Sequence, residues 1–152
     1  MNSIAYTAAL ALVVLTCQVS CTDYKSCPNA KNVLKITSID VKPSAKDIMF
    51  DFSGGPVSED INAGATGNLI IKLHGIVISD FDFDFCSGLG IDCPVKKGRG
   101  FEGRATYTEP YPFPPGNTIE YVASFKNADG TEVDCYTIDI PTIDLVGNSS
   151  KL

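Results

Sequence analysis

The chain has 152 residues, 44% of them apolar and 20% charged, with a formal charge of −6. That balance fits one globular domain and excludes an electrostatic binder of nucleic acid. One histidine, His74, and no tryptophan leave little material for His-rich metal sites or His-dependent catalysis.

The first 21 residues read as a signal peptide. AALALVVLTC (8–17) is apolar but short for a bilayer span, and Val19-Ser20-Cys21 offers a small-residue cleavage site. A mature domain of residues 22–152 follows, directed to the secretory route, with extracellular and endolysosomal or vacuolar compartments both open. Cys17 and Cys21 leave with the signal, so Cys27, Cys86, Cys93 and Cys135 remain. An even set in a secreted domain predicts two disulfides, with three pairings open. The six-residue gap between Cys86 and Cys93 is wider than usual for zinc ligands. No metal and no cofactor are expected.

VLKITSIDV (33–41) alternates loosely as a strand and stops at Lys42-Pro43. DIMFDF (47–52) puts Ile48, Phe50 and Phe52 on one face before SGGP (53–56) breaks it. NLIIKLHGIVIS (68–79) reads as one long strand kinked or bulged at Gly75.

In SDFDFDFC (79–86), Phe81, Phe83 and Phe85 alternate with Asp80, Asp82 and Asp84. A period of two places the rings on one strand face and the carboxylates on the other. From the residues alone, such a ring row reads as the filling of a sandwich core, although a pocket wall has the same face pattern. The outward aspartates keep an edge soluble and discourage edge-to-edge pairing. Same-face neighbours lie about 7 Å apart, too far for these aspartates to share a calcium ion unaided. His74 has no nucleophile motif beside it, so an enzyme is not expected.

Lys96, Lys97 and Arg99 form a local basic cluster in an acidic chain. FEGRATYT (101–108) is a further strand, and the proline-rich EPYPFPPG (109–116) reads as a loop or edge. TIEYVASF (118–125) aligns Ile119, Tyr121, Ala123 and Phe125 on one face. Asn127-Ala128-Asp129-Gly130 turns into EVDCYTIDI (132–140), completing a hairpin. Asn148 heads a glycosylation sequon. About seven strands without a convincing amphipathic helix predict an all-β, immunoglobulin-like antiparallel sandwich.

Several segments in this order carry a resemblance: Cys27-Pro28, VLKITSIDVKP, LHGIVI (73–78), the loop ending in CPVKKG (93–98), PPG (114–116) before TIEYVASF, and VDCYTIDI (133–140). Residues 24–141 resemble the ML lipid-recognition family. That family includes the soluble Niemann–Pick type C sterol carrier, group-two mite allergens and fungal phosphatidylglycerol/phosphatidylinositol transfer proteins. LHGI is similar to the sterol-carrier branch, PPG to the phospholipid-transfer branch. The sterol carriers' third disulfide has no counterpart, since residues 41–50 hold no cysteine.

The resemblance implies a splayed sandwich with an apolar cavity between the sheets, holding a sterol or a phospholipid. It implies the pairs Cys27–Cys135 and Cys86–Cys93. With the alternation pattern it nominates Ile39, Val41, Ile48, Phe50, Phe52, Leu73, Ile76, Phe81, Phe83, Phe85, Ile119, Tyr121, Phe125, Tyr136 and Ile138 as inward residues. Of these, all but Ile48 are candidate lipid contacts. It places Val95, Tyr111 and Phe113 at the pocket mouth. Lys96, Lys97 and Arg99, as the local basic cluster, are candidates for headgroup or membrane contact, with a solvated loop as the alternative. The partners expected are a lipid, transient membrane contact and a possible protein acceptor, for a chain acting as a monomer. The rival reading is a secreted sandwich that recognises a protein, with or without presenting lipid to it.

Overall fold

A computed structural model describes residues 23–43, 47–108 and 113–142. Among them are eight strands and one short helix: β1 (Tyr24–Ser26), β2 (Ile36–Pro43), β3 (Asp47–Gly54), β4 (Thr66–Leu73), β5 (Ile76–Asp84), α1 (Phe85–Gly88), β6 (Phe101–Thr108), β7 (Thr118–Lys126) and β8 (Glu132–Pro141). They form two antiparallel sheets, one ordered β1-β8-β7-β4-β5 and the other β2-β3-β6. The sandwich expected from the alternating pattern is the fold found.

Two elements differ from the sequence reading. NLIIKLHGIVIS is a hairpin and not one bent strand. His74 (φ 52°) and Gly75 (φ 77°) both take the left-handed conformation. A two-residue turn of that hand matches the twist of paired strands, and Gly75 adopts it without a Cβ penalty. The run of phenylalanines is therefore the second half of β5. A register shift between Ile71 and Lys72 leaves Ile78 without a direct partner, while Ser79 faces Ile71 and Ile76 faces Leu73. The second difference is at Phe85. Asp84 accepts the backbone N–H of Ser87 at 2.7 Å, which caps a single helical turn and ends the strand before Phe85.

The core divides along the sandwich. At one end Val33, Leu34, Val57, Ile61, Phe85, Leu89, Val95 and Phe101 pack together. At the other, Ile39, Ile48, Phe50, Ile71, Ile119, Tyr121, Ile138 and Ile140 do so. Three connections between the sheets lie at the first end: β1 to β2, β3 to β4, and β5 to β6. Only the connection from β6 to β7 lies at the second, beside the β4–β5 turn. The pairs Cys27–Cys135 and Cys86–Cys93 agree with the pairing that the resemblance implied. Cys27 begins the first of those three connections, while Cys86 and Cys93 lie on the third. Closing a loop with a separation of 108 residues stabilises by about 5 kcal/mol in the chain-entropy model.

Candidate functional site: an apolar cavity between the sheets

A cavity of about 250 Å³ lies between the two sheets. The larger sheet contributes Leu69, Phe81, Phe83, Tyr121, Ala123, Phe125, Tyr136 and Ile138. The smaller contributes Ile36, Ile39, Phe50, Phe52 and the β6 segment from Ala105 to Thr108. Gly88 and Leu89 close one end. The wall is built by period-two alternation: Phe81 and Phe83 share a face with Leu69, as do Tyr121, Ala123 and Phe125. Phe50 crosses from the smaller sheet to meet Tyr121 edge-on at 5.5 Å.

The cavity opens along one flank, where the edge strands β5 and β6 face each other. Phe81 is 36% exposed there and stacks on Tyr107. On the outer side of β5, Asp80 and Asp82 both accept from the Asn68 side-chain amide, at 2.8 and 3.0 Å. The aspartates thus occupy the solvent face, as the alternation requires.

Of the nominated residues, Ile39, Phe50, Phe52, Phe81, Phe83, Tyr121, Phe125, Tyr136 and Ile138 come together around the cavity. The others stand elsewhere. Phe85 is displaced into the disulfide-end core by the helical turn, where it meets Phe125 and Phe101 edge-on. Val95 is buried in the same core and pairs through its backbone with Ile61, so it is no mouth residue. Ile119 is buried in the opposite core, and Val41, Leu73 and Phe113 pack against it. Ile76 is 69% exposed on the edge strand. Tyr111, Asn148 and the signal segment 1–21 lie outside the described residues.

The basic cluster is also separate. Lys96, Lys97 and Arg99 border an open polar groove that shares no lining residue with the apolar cavity. Lys96 is paired with Asp60 at 2.9 Å, and the Lys97 backbone N–H donates to the same carboxylate at 2.7 Å. Those contacts hold the Asp60 carboxyl below its ordinary value.

Sequence reasoning missed Ile36, Leu69, Leu89, Ala105, Tyr107 and Ala123 as wall residues. Phe101, Gly103, Ala105 and Tyr107 do alternate, but the small residues in the middle hide the pattern. Leu69 sits in the unbroken run Leu69-Ile70-Ile71, where period two is invisible.

Beneath the wall lies a buried polar contact. Asp134 is fully buried and accepts from the Tyr136 hydroxyl at 2.6 Å, the Leu34 N–H at 3.1 Å and the Cys135 N–H at 3.0 Å. Burial, reinforced by the Asp134 carboxylate, pushes the Tyr136 hydroxyl well above its ordinary value. The phenol stays neutral, so the cavity wall carries no charge there. Among the described residues no cluster of His, Cys, Asp and Glu is disposed to hold a metal ion.

Known proteins share this architecture. A Niemann–Pick type C2 protein from the Japanese carpenter ant superposes with a TM-score of 0.58 at 18% identity, covering 77% of this chain and 96% of the ant chain. Chicken MD-1, solved in complex with lipid IVa, gives 0.50 at 15% identity, covering 78% of this chain and 87% of the chicken chain. These likenesses are of fold. No curated protein matches the chain in sequence. The profile of the ML domain matches residues 21–142, most of the length. By that match the chain belongs to the ML-domain family of lipid-recognition proteins.

Proposed function

We propose that the mature chain, residues 22–152, is a secreted, non-enzymatic lipid carrier that holds the hydrocarbon of a sterol or phospholipid between its sheets. The observation that carries this reading is the cavity: apolar walls from both sheets, open along the β5–β6 flank. Burying one methylene is worth about 0.8 kcal/mol, so about two buried methylenes give a tenfold gain in affinity before ordering costs. Affinity then comes from wall area, with little demand for polar contact. The two disulfides suit an oxidising compartment. Chicken MD-1, which was solved in complex with lipid IVa, supports a lipid as the class of ligand.

Membrane contact falls to the β4–β5 hairpin. Ile76, Val77 and Ile78 are 69%, 53% and 47% exposed in an apolar run at the start of β5, separated from Phe81 by Ser79 and Asp80. An exposed apolar run of this kind suits contact with a bilayer. The same run suits a protein acceptor, which keeps the recognition-module reading in play.

The test is extraction of the purified mature protein with organic solvent, followed by mass spectrometry. A stoichiometric lipid supports the carrier. A protein that retains none, and takes up neither fluorescent sterol nor fluorescent phospholipid, is a recognition module. Phe83→Asp puts a charge in the wall and is expected to abolish uptake with the β-sheet circular dichroism unchanged. Unchanged uptake would remove β5 from the site.

A further inference from the structure

We propose that two phenylalanine-on-glycine pairs, Phe83 over Gly67 and Phe52 over Gly103, set the width of the cavity so that it accepts one unbranched hydrocarbon chain and rejects a fused-ring lipid. The proposal rests on the carrier reading and narrows it.

The pairs are built alike, one in each sheet. Gly67 on β4 is the direct cross-strand partner of Phe83 on β5, and Phe52 on β3 that of Gly103 on β6. In each pair the ring tip leans along its own sheet, into the space a neighbouring Cβ would fill. A Cβ on Gly67 would come within 2.2 Å of Phe83 Cζ, and one on Gly103 within 2.5 Å of Phe52 Cζ. Both distances are far inside van der Waals contact, so no residue but glycine allows these ring positions. Phe83 is held on its other side by Gly88, where a Cβ would meet the ring at 3.2 Å. Packed sheets stand about 10 Å apart and their side chains normally interdigitate to fill that gap. A ring laid against its own sheet leaves part of the gap open, and here both sheets do this around one cavity.

The space so kept is narrow. At about 250 Å³ the cavity falls below the roughly 300–1,000 Å³ of ordinary small-ligand pockets. A flexible chain can enter in part and leave its remainder outside, past Phe81. A fused-ring plate is rigid, carries far more carbons in one block, and needs the full width at once. The glycines therefore act as specificity-determining positions although neither offers a side chain to the ligand.

The experiment is a fluorescence titration with cis-parinaric acid, a single-chain probe, and dehydroergosterol, a sterol probe. It uses delipidated wild type and the variants Gly67→Ala, Gly103→Ala, Phe83→Leu and Phe52→Leu, each checked by circular dichroism. Wild type is expected to prefer the single chain by at least about tenfold, the equivalent of about two methylenes of contact. Gly67→Ala lifts the Phe83 ring into the cavity and weakens cis-parinaric acid by about tenfold, again about two methylenes; Gly103→Ala is expected to weaken it at least as much, because its Cβ meets both the Phe52 ring and, at 2.9 Å, the Leu89 carbonyl oxygen. Each leucine variant removes the ring and shifts the preference toward the sterol. Should an alanine variant not fold, the leucine variants decide alone. Equal binding of the two probes by wild type, or an unchanged preference in the leucine variants, overturns the width assignment while leaving the carrier reading intact. Binding of neither probe by wild type overturns both.

Discussion

Phe81 and Tyr107 stack with ring centroids 5.6 Å apart and planes 8° from parallel, although they stand on different sheets. Each belongs to an edge strand, so the pair bridges the flank along which the cavity opens. Aromatic pairs contribute about 0.5–1.5 kcal/mol beyond their buried area. Phe81→Ala removes that bridge, and lipid is expected to exchange about fivefold faster, the factor corresponding to about 1 kcal/mol. Stopped-flow transfer between labelled vesicles and protein measures it. An unchanged rate would place the path elsewhere.

In the proposed carrier, the hairpin serves membrane contact and the cavity holds the lipid. Ile76 and Ile78 are exposed and line no part of the cavity. The double variant Ile76→Ser, Ile78→Ser is expected to slow collisional transfer from vesicles several-fold, with equilibrium affinity for a soluble lipid probe unchanged. A parallel loss of affinity would show that the hairpin belongs to the binding wall.

Asp134 ties the chain leading into β2 to the last strand. It holds the Leu34 N–H and the Tyr136 hydroxyl through one oxygen, and the Cys135 N–H through the other. Its removal strands buried donors, each costing about 1–3 kcal/mol. Asp134→Ala is expected to lower unfolding stability by about 3 kcal/mol in urea titration, and Tyr136→Phe by about 1 kcal/mol. A variant as stable as wild type would mean that water replaces the carboxylate.

Asp51 gives the fold an acid-sensitive component. Arg104 first, then Lys42, hold its carboxyl at about 2, below the ordinary 3.8. The folded value is the lower one, so ionised Asp51 favours the fold above about pH 4. That contribution is lost as pH falls from about 4 through about 2. The group is exposed, so the effect is small. Wild type is expected to exceed Asp51→Asn in urea midpoint at pH 5, with the difference closing by pH 2. A difference independent of pH would assign it to shape and not to charge.

Alternation made much of this legible. Ile48, Phe50 and Phe52 announce their shared face by recurring at every second position, and Tyr121 and Phe125 do so with Ala123 between them. The pattern failed where a local competitor intervened. At Phe85 the period-two run continues in sequence, but Asp84 caps a helical turn and redirects the ring. At Gly75 a break in an apolar run fits a kink as well as a turn, and only the left-handed backbone of His74 beside it decides for the turn. Val95 and Phe113 looked alike as loop hydrophobes, yet they lie in opposite cores. Which end of a sandwich a loop occupies depends on strand order, and strand order leaves no local trace. Gly67 and Gly103 carry no signal of their own in the sequence; their use appears only once the cross-strand phenylalanine is in place.

The connections between the sheets are distributed unevenly, three at the disulfide end against one beside the β4–β5 turn. Covalent continuity between the layers is therefore concentrated at the end where Cys86 and Cys93 lie, and the end beside Ile76 relies on side-chain packing to keep its two layers in register.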